Sequence, residues 1–247
     1  MSRPVVKSAE RTLQVLESLA GSRTGMAFNE LQRTLRIPKS SLHGLLQTLC
    51  DRGWVETDDT GARYSLGLRS LQLAGAYQQN DNSIRSSRAR MQQLSNTTGE
   101  TVQLARLDGG DVVYLAQMPS VHPISLVSAV GQRLPAHATA LGKAILATLT
   151  DEEVLDRCAE PLVRLTANTH ATPDSLLADL RKIRTRGYAI DAEESSPGLL
   201  CFAVALWFDE SRTPVAISIS VPAFRLTDGM RASIVRLLSA ERRLPPG

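Results

Sequence analysis

The stretch IPKSSLHGLLQTLCDRGWVETDDTGARYSL, residues 37–66, decides the fold of the N-terminal third of the chain. Its first half carries leucines at the i, i+3, i+4 and i+7 spacing that lines one face of a helix, namely Leu42, Leu45, Leu46 and Leu49. Because a residue before proline avoids helical backbone, Ile37-Pro38 should end the preceding helix, and this helix should begin near Pro38 to Ser40. The second half alternates in side-chain character over 54–57 and 63–66 around a polar turn, which predicts a two-stranded ribbon. A helix followed directly by a ribbon is the pattern of a winged helix-turn-helix.

Two shorter helical patterns precede this stretch. We expect Ser8 to cap a helix that ends near Ala20, with an inward face made by Leu13, Leu16 and Ala20 and widened by Val15 and Leu19. We expect Asn29 to cap a second helix, with Leu31 and Leu35 facing inward. The three helices and the ribbon together predict one small domain.

The face of the third helix opposite its leucines carries small or hydrogen-bonding residues. Side chains of this kind at the start of a recognition helix reach base edges in the major groove of DNA. The helix start and Lys39 also suit a phosphate, and Arg63 on the wing can reach a phosphate or the minor groove. The alternatives are a solvated polar face and a surface arginine with no specific contact. The candidate DNA-binding residues are Lys39, Ser40, Ser41, His43, Gln47 and Arg63.

The distribution of charge agrees with a nucleic-acid partner for this part of the chain. The net charge is +3 over 247 residues. Residues 1–78 hold ten Lys and Arg against seven Asp and Glu, whereas the other 169 residues hold eighteen of each. A positive excess confined to one domain favours contact with phosphates. The alternative is a sensor that binds a partner protein and no DNA, and it would lack the steep salt dependence that phosphate contacts cause.

Composition narrows the class of protein. Hydrophobic residues make up 43% of the chain and charged residues 21%, which is typical of a globular protein and not of a disordered one. No apolar stretch approaches the roughly 18 residues of a membrane helix, and no apolar signal core follows the first residues, so we expect a cytoplasmic protein. The three cysteines are far apart and match neither a disulfide framework nor a zinc knuckle. We expect no metal and no cofactor.

Five segments, in order along the chain, resemble the IclR family of transcription regulators. They are IPKSSLHGLLQTLCDRGWVE (37–56), RYSLGLRSLQLA (63–74), TGET (98–101), GQRLPAHATALGKAILA (131–147) and GYAIDAEES (187–195), the last followed by Cys201. The resemblance implies an α+β protein with a winged helix-turn-helix, a linker helix and a GAF-like α/β effector domain built on an antiparallel sheet. It also implies double-stranded operator DNA as a partner and a dimer or dimer of dimers. Its members act as repressors, as activators or as both, and here we expect a repressor whose DNA affinity a small effector modulates.

Two positions depart from the family pattern in the DNA-binding region. The glycine that usually precedes the recognition helix is Arg36 here, and a left-handed backbone at that position would cost arginine on the order of 1 kcal/mol. Members of the family often have an arginine in the recognition helix at the position of Gly44. The glycine removes a DNA contact and weakens the helix by about 1 kcal/mol relative to alanine.

We divide the chain into a DNA-binding domain (1–66), a linker helix (67–82) and an effector-binding domain (83–247). The polar run 78–82 marks the boundary. The linker helix could pair with its copy in a dimer or pack on its own domain, and both alternatives stay open. Its apolar stripe consists of Leu68, Leu71 and Ala74.

The C-terminal region alternates between helical and strand patterns. The predicted strands are 101–107, 112–117, 124–127, 199–208 and 215–221. The predicted helices run from 83 to 99, from a capping box at 150–153, from 173 to 187 and from 227 to 243. Strands that are neighbours in sequence, with helices before and between them, suggest an antiparallel sheet covered by helices.

The resemblance implies a ligand pocket in this second region. Its residues are Ala140, Leu141, Asp191, Leu199, Cys201, Ser218 and Ser220. Ser218 and Ser220 are two apart on one strand, so they share a face, where they either meet a ligand or bond to neighbouring strands. Asp191 either contacts a ligand hydroxyl or amine or braces its loop. Backbone amides, hydroxyls and a thiol suit a small organic acid, an aromatic one included, although the implied pocket contains no aromatic residue.

Two further classes compete with a regulator. Cys201, His137 and Asp191 could serve as nucleophile, base and orienting group of an enzyme, although a free buried cysteine is usually a small hydrophobe. A zinc sensor is the other class, but the histidines have no ligand spacing with one another or with cysteine. We therefore predict a regulator with no catalytic residues.

Overall fold

A computed structural model of the chain describes residues 5–123, 129–158, 161–208 and 214–241. The chain divides into two compact units, one ending at Asn80 and the other beginning at Asp81. The predicted strand 124–127 and the end of the last predicted helix, 242–243, lie outside the described residues. In the described ranges, no helix is both long enough and apolar enough to cross a bilayer.

The N-terminal unit is a winged helix-turn-helix followed by one more helix. Its sheet has the order β1-β3-β2 with antiparallel pairing, so the first short strand flanks the wing hairpin. Its core is formed by the first three helices and the wing around Val15, Leu31 and Leu42. The elements are α1 (Lys7–Ala20), β1 (Met26–Ala27), α2 (Phe28–Leu35), α3 (Lys39–Asp51), β2 (Val55–Thr57), β3 (Arg63–Leu66) and α4 (Leu68–Asn80).

The two predicted helix caps are wrong. α1 begins one residue before Ser8, and the Ser8 carbonyl accepts a hydrogen bond from Thr12 within the helix. α2 begins before Asn29, and its first turn is closed by Glu30, whose carboxylate accepts the Ala27 backbone N–H at 2.7 Å. A glutamate at the third helical position replaces a capping side chain here.

The inward face of α1 also differs from the prediction. Val15 and Leu19 are buried, but Leu13 is 58% exposed and Ala20 is exposed. The difference is a rotation of the helix by part of a turn. Of the α1 residues at helical spacing, Val15 and Leu19 lie four apart and form the stripe that meets the core.

Arg36 ends α2 in a left-handed conformation, with φ 53° and ψ 33°. The left-handed backbone considered for this position is therefore present. An L side chain in this region costs about 1–2 kcal/mol, which the sharp turn into α3 imposes on the domain.

The C-terminal unit is a six-stranded antiparallel sheet with helices on both faces. The strand order is β6-β5-β4-β9-β8-β7. Its strands are β4 (Thr101–Asp108), β5 (Asp111–Met118), β6 (Arg133–Pro135), β7 (Ala189–Ala192), β8 (Leu199–Leu206) and β9 (Val215–Pro222). Its α-helices are α5 (Asn82–Thr98), α6 (Ala140–Leu146), α7 (Asp151–Arg157), α8 (Pro173–Arg186) and α9 (Asp228–Glu241), with 3-10 turns at Ala136–Ala138 and Ala223–Arg225.

Each face of this sheet carries its own hydrophobic cluster. One contains Ile145 of α6 and Leu180 of α8, and the other contains Met91 of α5 and Ile234 of α9. Because side chains alternate along a strand, each central strand contributes to both clusters, and β9 is buried at every position. This accounts for the strongly apolar sequences of β8 and β9. The serines of β9 face the α6 side.

The capping box of α7 and the two ends of α8 were predicted correctly. The Thr150 hydroxyl accepts the Glu153 N–H while the Glu153 carboxylate accepts the Thr150 N–H, which is the expected capping box. α8 begins at Pro173, and its C-cap is Gly187 at φ 86°. These local signals place α7 and α8 from sequence alone.

Candidate DNA-binding face and ligand cavity

The third helix presents its polar face to solvent. Leu42, Leu46 and Leu49 are buried, whereas the residues on the opposite side are exposed, with Ser41 at the half-buried edge. Within the described residues, no side chain caps the amides of the first turn, so the helix start can donate to a phosphate. The predicted residues Lys39, Ser40, His43 and Gln47 therefore lie together on one accessible surface.

Gly44 leaves a gap in the middle of this surface. A Cβ atom built there would meet no heavy atom of the described residues within 4 Å. Packing of α3 therefore does not require glycine at position 44. A longer side chain there would project into solvent from the same face as His43 and Gln47.

The wing is held by two charged residues. Asp58 accepts hydrogen bonds from the Thr60 hydroxyl and from the backbone N–H groups of Ala62 and Arg63, and the Arg63 N–H is the main cause of the lowered pKa of its carboxyl. The Arg63 guanidinium donates to the carbonyl of Thr24 at 3.0 Å and to that of Gly25 at 2.8 Å. Arg63 is a candidate DNA contact from the sequence, and in the structure two of its nitrogens also bond the wing to the loop before α2.

A cavity of about 190 Å³ lies on the α6 face of the C-terminal sheet. Six of the seven residues implied by the resemblance line it, and Ser220 is buried without being part of its wall. The lining residues are Gln103, Tyr114, Gln132, Leu134, Thr139, Ala140, Leu141, Asp191, Ser195, Ser196, Leu199, Cys201 and Ser218. At roughly 30 Å³ per water molecule in the liquid, the volume suits a ligand of a few to about ten non-hydrogen atoms.

The start of α6 reaches the cavity because of a tight turn. Thr139 caps α6 by accepting the Gly142 N–H at 3.0 Å. A Cβ atom at Gly142 would collide with the backbone of Ala136, so glycine allows the helix to pack closely on the preceding 3-10 turn. This close packing brings Thr139, Ala140 and Leu141 to the cavity wall.

Ser218 and Ser220 share a face, as predicted, and both hydroxyls donate to one atom. Their partner is Oε1 of Gln103 on the adjacent strand β4, at 3.4 Å from Ser218 and 3.1 Å from Ser220. The serines therefore bond to a neighbouring strand, which was one of the two alternatives. Through this bond they orient Gln103, which lines the cavity. Sequence reasoning missed Gln103, although its place two residues before the buried Ala105 puts it on the same face.

The pocket residues implied by the resemblance include no aromatic residue, but the cavity contains one. Tyr114 of β5 is 6% exposed and forms part of the cavity wall. Burial raises the pKa of its phenol, and burial likewise raises the pKa of the Cys201 thiol, so both groups stay protonated at neutral pH. The alternation of β5 could have revealed it, because Tyr114 follows the buried Val112 at strand spacing.

Asp191 is the one carboxyl group that the described residues place in the wall of the cavity. Its Oδ1 accepts the N–H of Glu194 at 2.7 Å and that of Ser195 at 3.2 Å, while its Oδ2 accepts the Ser195 hydroxyl at 2.5 Å. Burial raises its pKa to about 6. Asp191 thus braces its own turn and also faces the cavity, so both predicted roles are open to it.

A buried ionic cluster lies next to this turn. The ammonium of Lys143, which is fully buried, contacts Glu194 at 2.6 and 2.7 Å and Asp179 at 2.8 Å. Nε2 of His170 lies 3.5 Å from Asp179 and 3.7 Å from Glu194. The fold therefore gathers a histidine and two carboxylates, which no spacing in the sequence predicted. Because the Lys143 ammonium and the Arg186 guanidinium, which lies 3.8 Å from Asp179, already pair with these two carboxylates, we assign no metal here.

The geometry gives no support to an enzyme. Nε2 of His137 pairs with the Val163 carbonyl at 2.9 Å, and burial lowers the pKa of its ring. The Asp191 carboxylate is bonded within its turn, and in the described ranges no hydrogen bond joins Cys201, His137 and Asp191. A protonated, buried thiol that donates no described hydrogen bond to a neighbouring base is not an activated nucleophile.

Comparison with known proteins agrees with this architecture. Residues 8–59 match the family model described as "IclR helix-turn-helix domain", and residues 75–243 match "Bacterial transcriptional regulator IclR C-terminal". The chain is 33% identical over 232 residues to the HTH-type transcriptional regulator XynR of Escherichia coli K12, and the match covers 93% of this chain and 92% of that protein. It is 35% identical over 229 residues to the transcriptional repressor IclR of the same organism, with coverage of 90% and 82%.

Solved structures of similar fold cover nearly the whole chain. A putative transcriptional regulator of Rhodococcus sp. RHA1 superposes with a TM-score of 0.82 at 26% identity, covering 96% of this chain and 95% of that one. An IclR homologue of Microbacterium hydrocarbonoxydans, solved with 4-hydroxybenzoate, gives a TM-score of 0.77 at 24% identity, with coverage of 95% and 96%. With family models matched over both units, the chain belongs to the IclR family and is a DNA-binding transcription regulator with a small-molecule effector domain.

Proposed function

We propose that this protein is a cytoplasmic, dimeric repressor whose affinity for operator DNA is set by a small organic acid bound in the cavity of the C-terminal unit. The cavity is the observation that carries the proposal. It is enclosed by the sheet and the start of α6, and nine of its thirteen lining residues have a hydrogen-bonding side chain. A small, largely polar site of this kind selects for a compact ligand with several oxygen atoms.

Relatives support the finer points of the proposal. The IclR protein and the AllR protein of E. coli are both named as repressors, and the acetate operon repressor of Salmonella typhimurium is a further relative. The homologue from M. hydrocarbonoxydans was solved in complex with 4-hydroxybenzoate, an aromatic hydroxy acid, which supports a ligand of this class. Tyr114 in the present cavity offers an aromatic face to such a ring. An activator is the second candidate for the direction of regulation.

The linker helix favours a dimer. Among its described residues α4 has none that is buried, and four large apolar side chains on it are 50% exposed or more, namely Leu68, Leu71, Leu73 and Tyr77. Apolar residues that a helix leaves in solvent are candidates for pairing with a second copy. A two-fold dimer would present two α3 helices to half-sites about one helical turn of DNA, or a multiple of it, apart.

Thermal unfolding against a panel of small acids tests the effector site. The panel contains hydroxy acids and benzoates, each beside the corresponding amide. A ligand at about a hundred times its Kd adds roughly 2.7 kcal/mol to the free energy of unfolding. We expect a shift with one class of acid, and we expect it to be lost in Ser218→Ala, which removes a hydroxyl that orients Gln103. If no compound on the panel shifts the unfolding temperature, the organic-acid effector is contradicted while DNA binding is untouched.

Binding to an operator selected from genomic fragments tests the DNA-binding face. We expect Gln47→Ala to relax sequence preference by about 1–3 kcal/mol at one base position, because it removes a base-edge contact. We expect Lys39→Ala to weaken binding to all sequences alike and to reduce the log–log salt slope by about one. Fluorescence anisotropy over a range of salt concentrations measures both effects. Equal loss of sequence preference in the two variants would contradict this division of roles.

A further inference from the structure

The geometry points to a proton-dependent switch in the wall of the cavity, formed by Asp191 and Ser195, which accepts a ligand carboxylate only together with a proton. The inference deepens the proposed function and rests on it, because it assigns the ligand class and its pH dependence to the same cavity. Both residues line that cavity, and they are joined by the 2.5 Å contact between Ser195 Oγ and Asp191 Oδ2.

The two oxygens of Asp191 have different surroundings. Oδ1 accepts two backbone N–H groups, those of Glu194 and Ser195. Backbone donors cannot reverse direction, so this oxygen stays an acceptor. Oδ2 contacts a hydroxyl, which can donate or accept. A proton taken up by Asp191 therefore binds at Oδ2, on the side of Ser195.

The charge of Asp191 then sets the direction of the Ser195 hydroxyl. When Asp191 is ionised, Ser195 donates its proton to Oδ2 and presents an oxygen lone pair to the cavity. When Asp191 takes a proton from water, its O–H donates to Ser195 Oγ, and the serine hydroxyl is free to donate into the cavity. On protonation of Asp191, the Ser195 hydroxyl thus changes from a hydrogen-bond acceptor beside a negative charge to a hydrogen-bond donor beside a neutral carboxyl group. A carboxylate is repelled by the first state and bound by the second.

No cation that the structure describes in the wall can replace this proton. Of the thirteen lining residues, none is lysine, arginine or histidine. The titratable groups that face Asp191 are Tyr114 of β5, Cys201 of β8 and Glu194 of its own turn. Burial keeps the first two protonated and neutral, because it raises the pKa of each.

The third neighbour, Glu194, is balanced from behind the wall. Lys143 of α6 contacts both oxygens of Glu194, and the cluster also contains Asp179 and Arg186 of α8 and the adjoining His170. Lys143 is fully buried and bound to two carboxylates, so it does not reach into the cavity. The charge that a ligand carboxylate meets in the cavity wall is therefore that of Asp191.

Calorimetric titration of the full-length protein with lactate and benzoate, at pH 5.5 and pH 7.5, tests the switch. Burial raises the pKa of Asp191 to about 6, so the protonated fraction falls from about three quarters to about one thirtieth over this range. We expect the acid that the cavity accepts to bind about twentyfold more tightly at pH 5.5. Lactamide and benzamide, which carry no charge, should bind equally at both pH values.

Three variants separate the switch from a general pH effect. In Asp191→Asn, the amide oxygen would accept the same backbone N–H groups and the NH₂ would donate to Ser195, so this variant should bind the acid at pH 7.5 as tightly as the native protein does at pH 5.5. Ser195→Ala removes the hydroxyl that changes direction and should lose the gain at pH 5.5. Ser196→Ala changes the same wall at a residue with no described bond to Asp191, so it is the matched control and should keep the twentyfold change.

The outcomes distinguish this inference from the proposed function. Binding of an acid with equal affinity at both pH values, or a pH dependence that survives in Asp191→Asn, overturns the switch and leaves the cavity as an effector site. Binding of the amides but of neither acid at pH 5.5 also overturns it. Failure of all four compounds to bind at either pH contradicts the switch and the organic-acid effector together.

Discussion

The two units of this protein differ in how sequence becomes a site. In the N-terminal unit, the proposed DNA-binding face lies on α3, and the residues of the polar and the buried face of this helix are predicted from one continuous stretch, 37–66. In the C-terminal unit, the cavity collects residues from Gln103 to Ser218 through the six strands of the sheet, one helix start and the loops between them. Local periodicity is therefore enough to predict a surface site, whereas the composition of an enclosed site depends on strand order and register.

Charge follows the same division. Lys39 on the DNA-binding face is exposed and has no described ion pair, whereas Lys143 in the C-terminal unit is fully buried between two carboxylates. An exposed charge is available to a partner and contributes little to stability. A buried charge has a fixed place in the core, and removing it leaves its buried counter-charges unpaired at a large cost in stability. The predictions below test this contrast, and the two tryptophans, Trp54 and Trp207, report separately on the two units.

The largest effect is expected from Lys143→Met. Removing the ammonium leaves the buried Glu194 without it and leaves Asp179 with only the Arg186 guanidinium at 3.8 Å, which should lower the free energy of unfolding of the C-terminal unit by about 3–5 kcal/mol. Urea unfolding followed by Trp207 fluorescence, in a Trp54→Phe background, measures it. Lys39→Met is the matched control and should change stability by less than about 0.5 kcal/mol. Similar small losses in both variants would mean that the cluster is as solvated as the surface.

The next effect concerns pH and Asp191. The pKa of this carboxyl rises from 3.8 to about 6 on folding because of burial. Between these values the folded state holds more protons than the unfolded chain, so stability falls as pH rises through the window and levels off above it, by about 3 kcal/mol in all. Asp191→Asn should remove this contribution. The difference in unfolding free energy between variant and native protein, measured from pH 4 to pH 7.5, should therefore change with pH in favour of the variant, and a constant difference would refute the shift.

A moderate effect is expected from Arg63→Ala. The guanidinium bonds to two carbonyls and tethers the wing, so its loss should lower the stability of the N-terminal unit by about 1–2 kcal/mol. Trp54 fluorescence in a Trp207→Phe background reports on this unit. The variant should also weaken binding to all DNA sequences alike, because the wing moves. Loss of DNA binding with native stability would instead make Arg63 a direct DNA contact.

The smallest effect is expected from Gly44→Ala. The added methyl group meets no described atom, and alanine favours the helix over glycine by about 0.5–1 kcal/mol. The N-terminal unit should become more stable by that amount, as measured by thermal unfolding. A loss of stability would show that the exposed position has a constraint the structure does not reveal. Because position 44 lies between His43 and Gln47, Gly44→Arg should in addition strengthen DNA binding.

Several elements follow directly from the sequence, and the exceptions have physical causes. The leucine stripe of α3, the wing, the capping box at Thr150 and the glycine end of α8 are all set by neighbours within a few residues. The caps at Ser8 and Asn29 failed because a serine or asparagine near a helix start can also lie inside it. The rotation of α1 was missed because the apolar residues along it form more than one possible stripe.

The sequence predicted several residues of the cavity wall but not the electrostatic environment of the cavity. The resemblance supplied Asp191, Leu199, Cys201 and Ser218, but the raised pKa of Asp191 depends on burial, which only the folded sheet provides. Tyr114 and Gln103 lie on strands whose alternation was visible, yet the face they share with β8 and β9 follows from the strand order β5-β4-β9-β8. The contacts of Lys143 span 36 and 51 residues, which no local pattern encodes.

The central claim is that an acid in the cavity of one unit changes the DNA affinity of the other. The most direct test is a closed cycle that measures the Kd for operator DNA with and without the acid found on the panel, and the Kd for the acid with and without DNA. Linkage requires the two ratios to be equal, and we expect a common factor of roughly 5–150. A factor of one in the native protein, despite binding of the acid, would show that the acid does not regulate DNA binding.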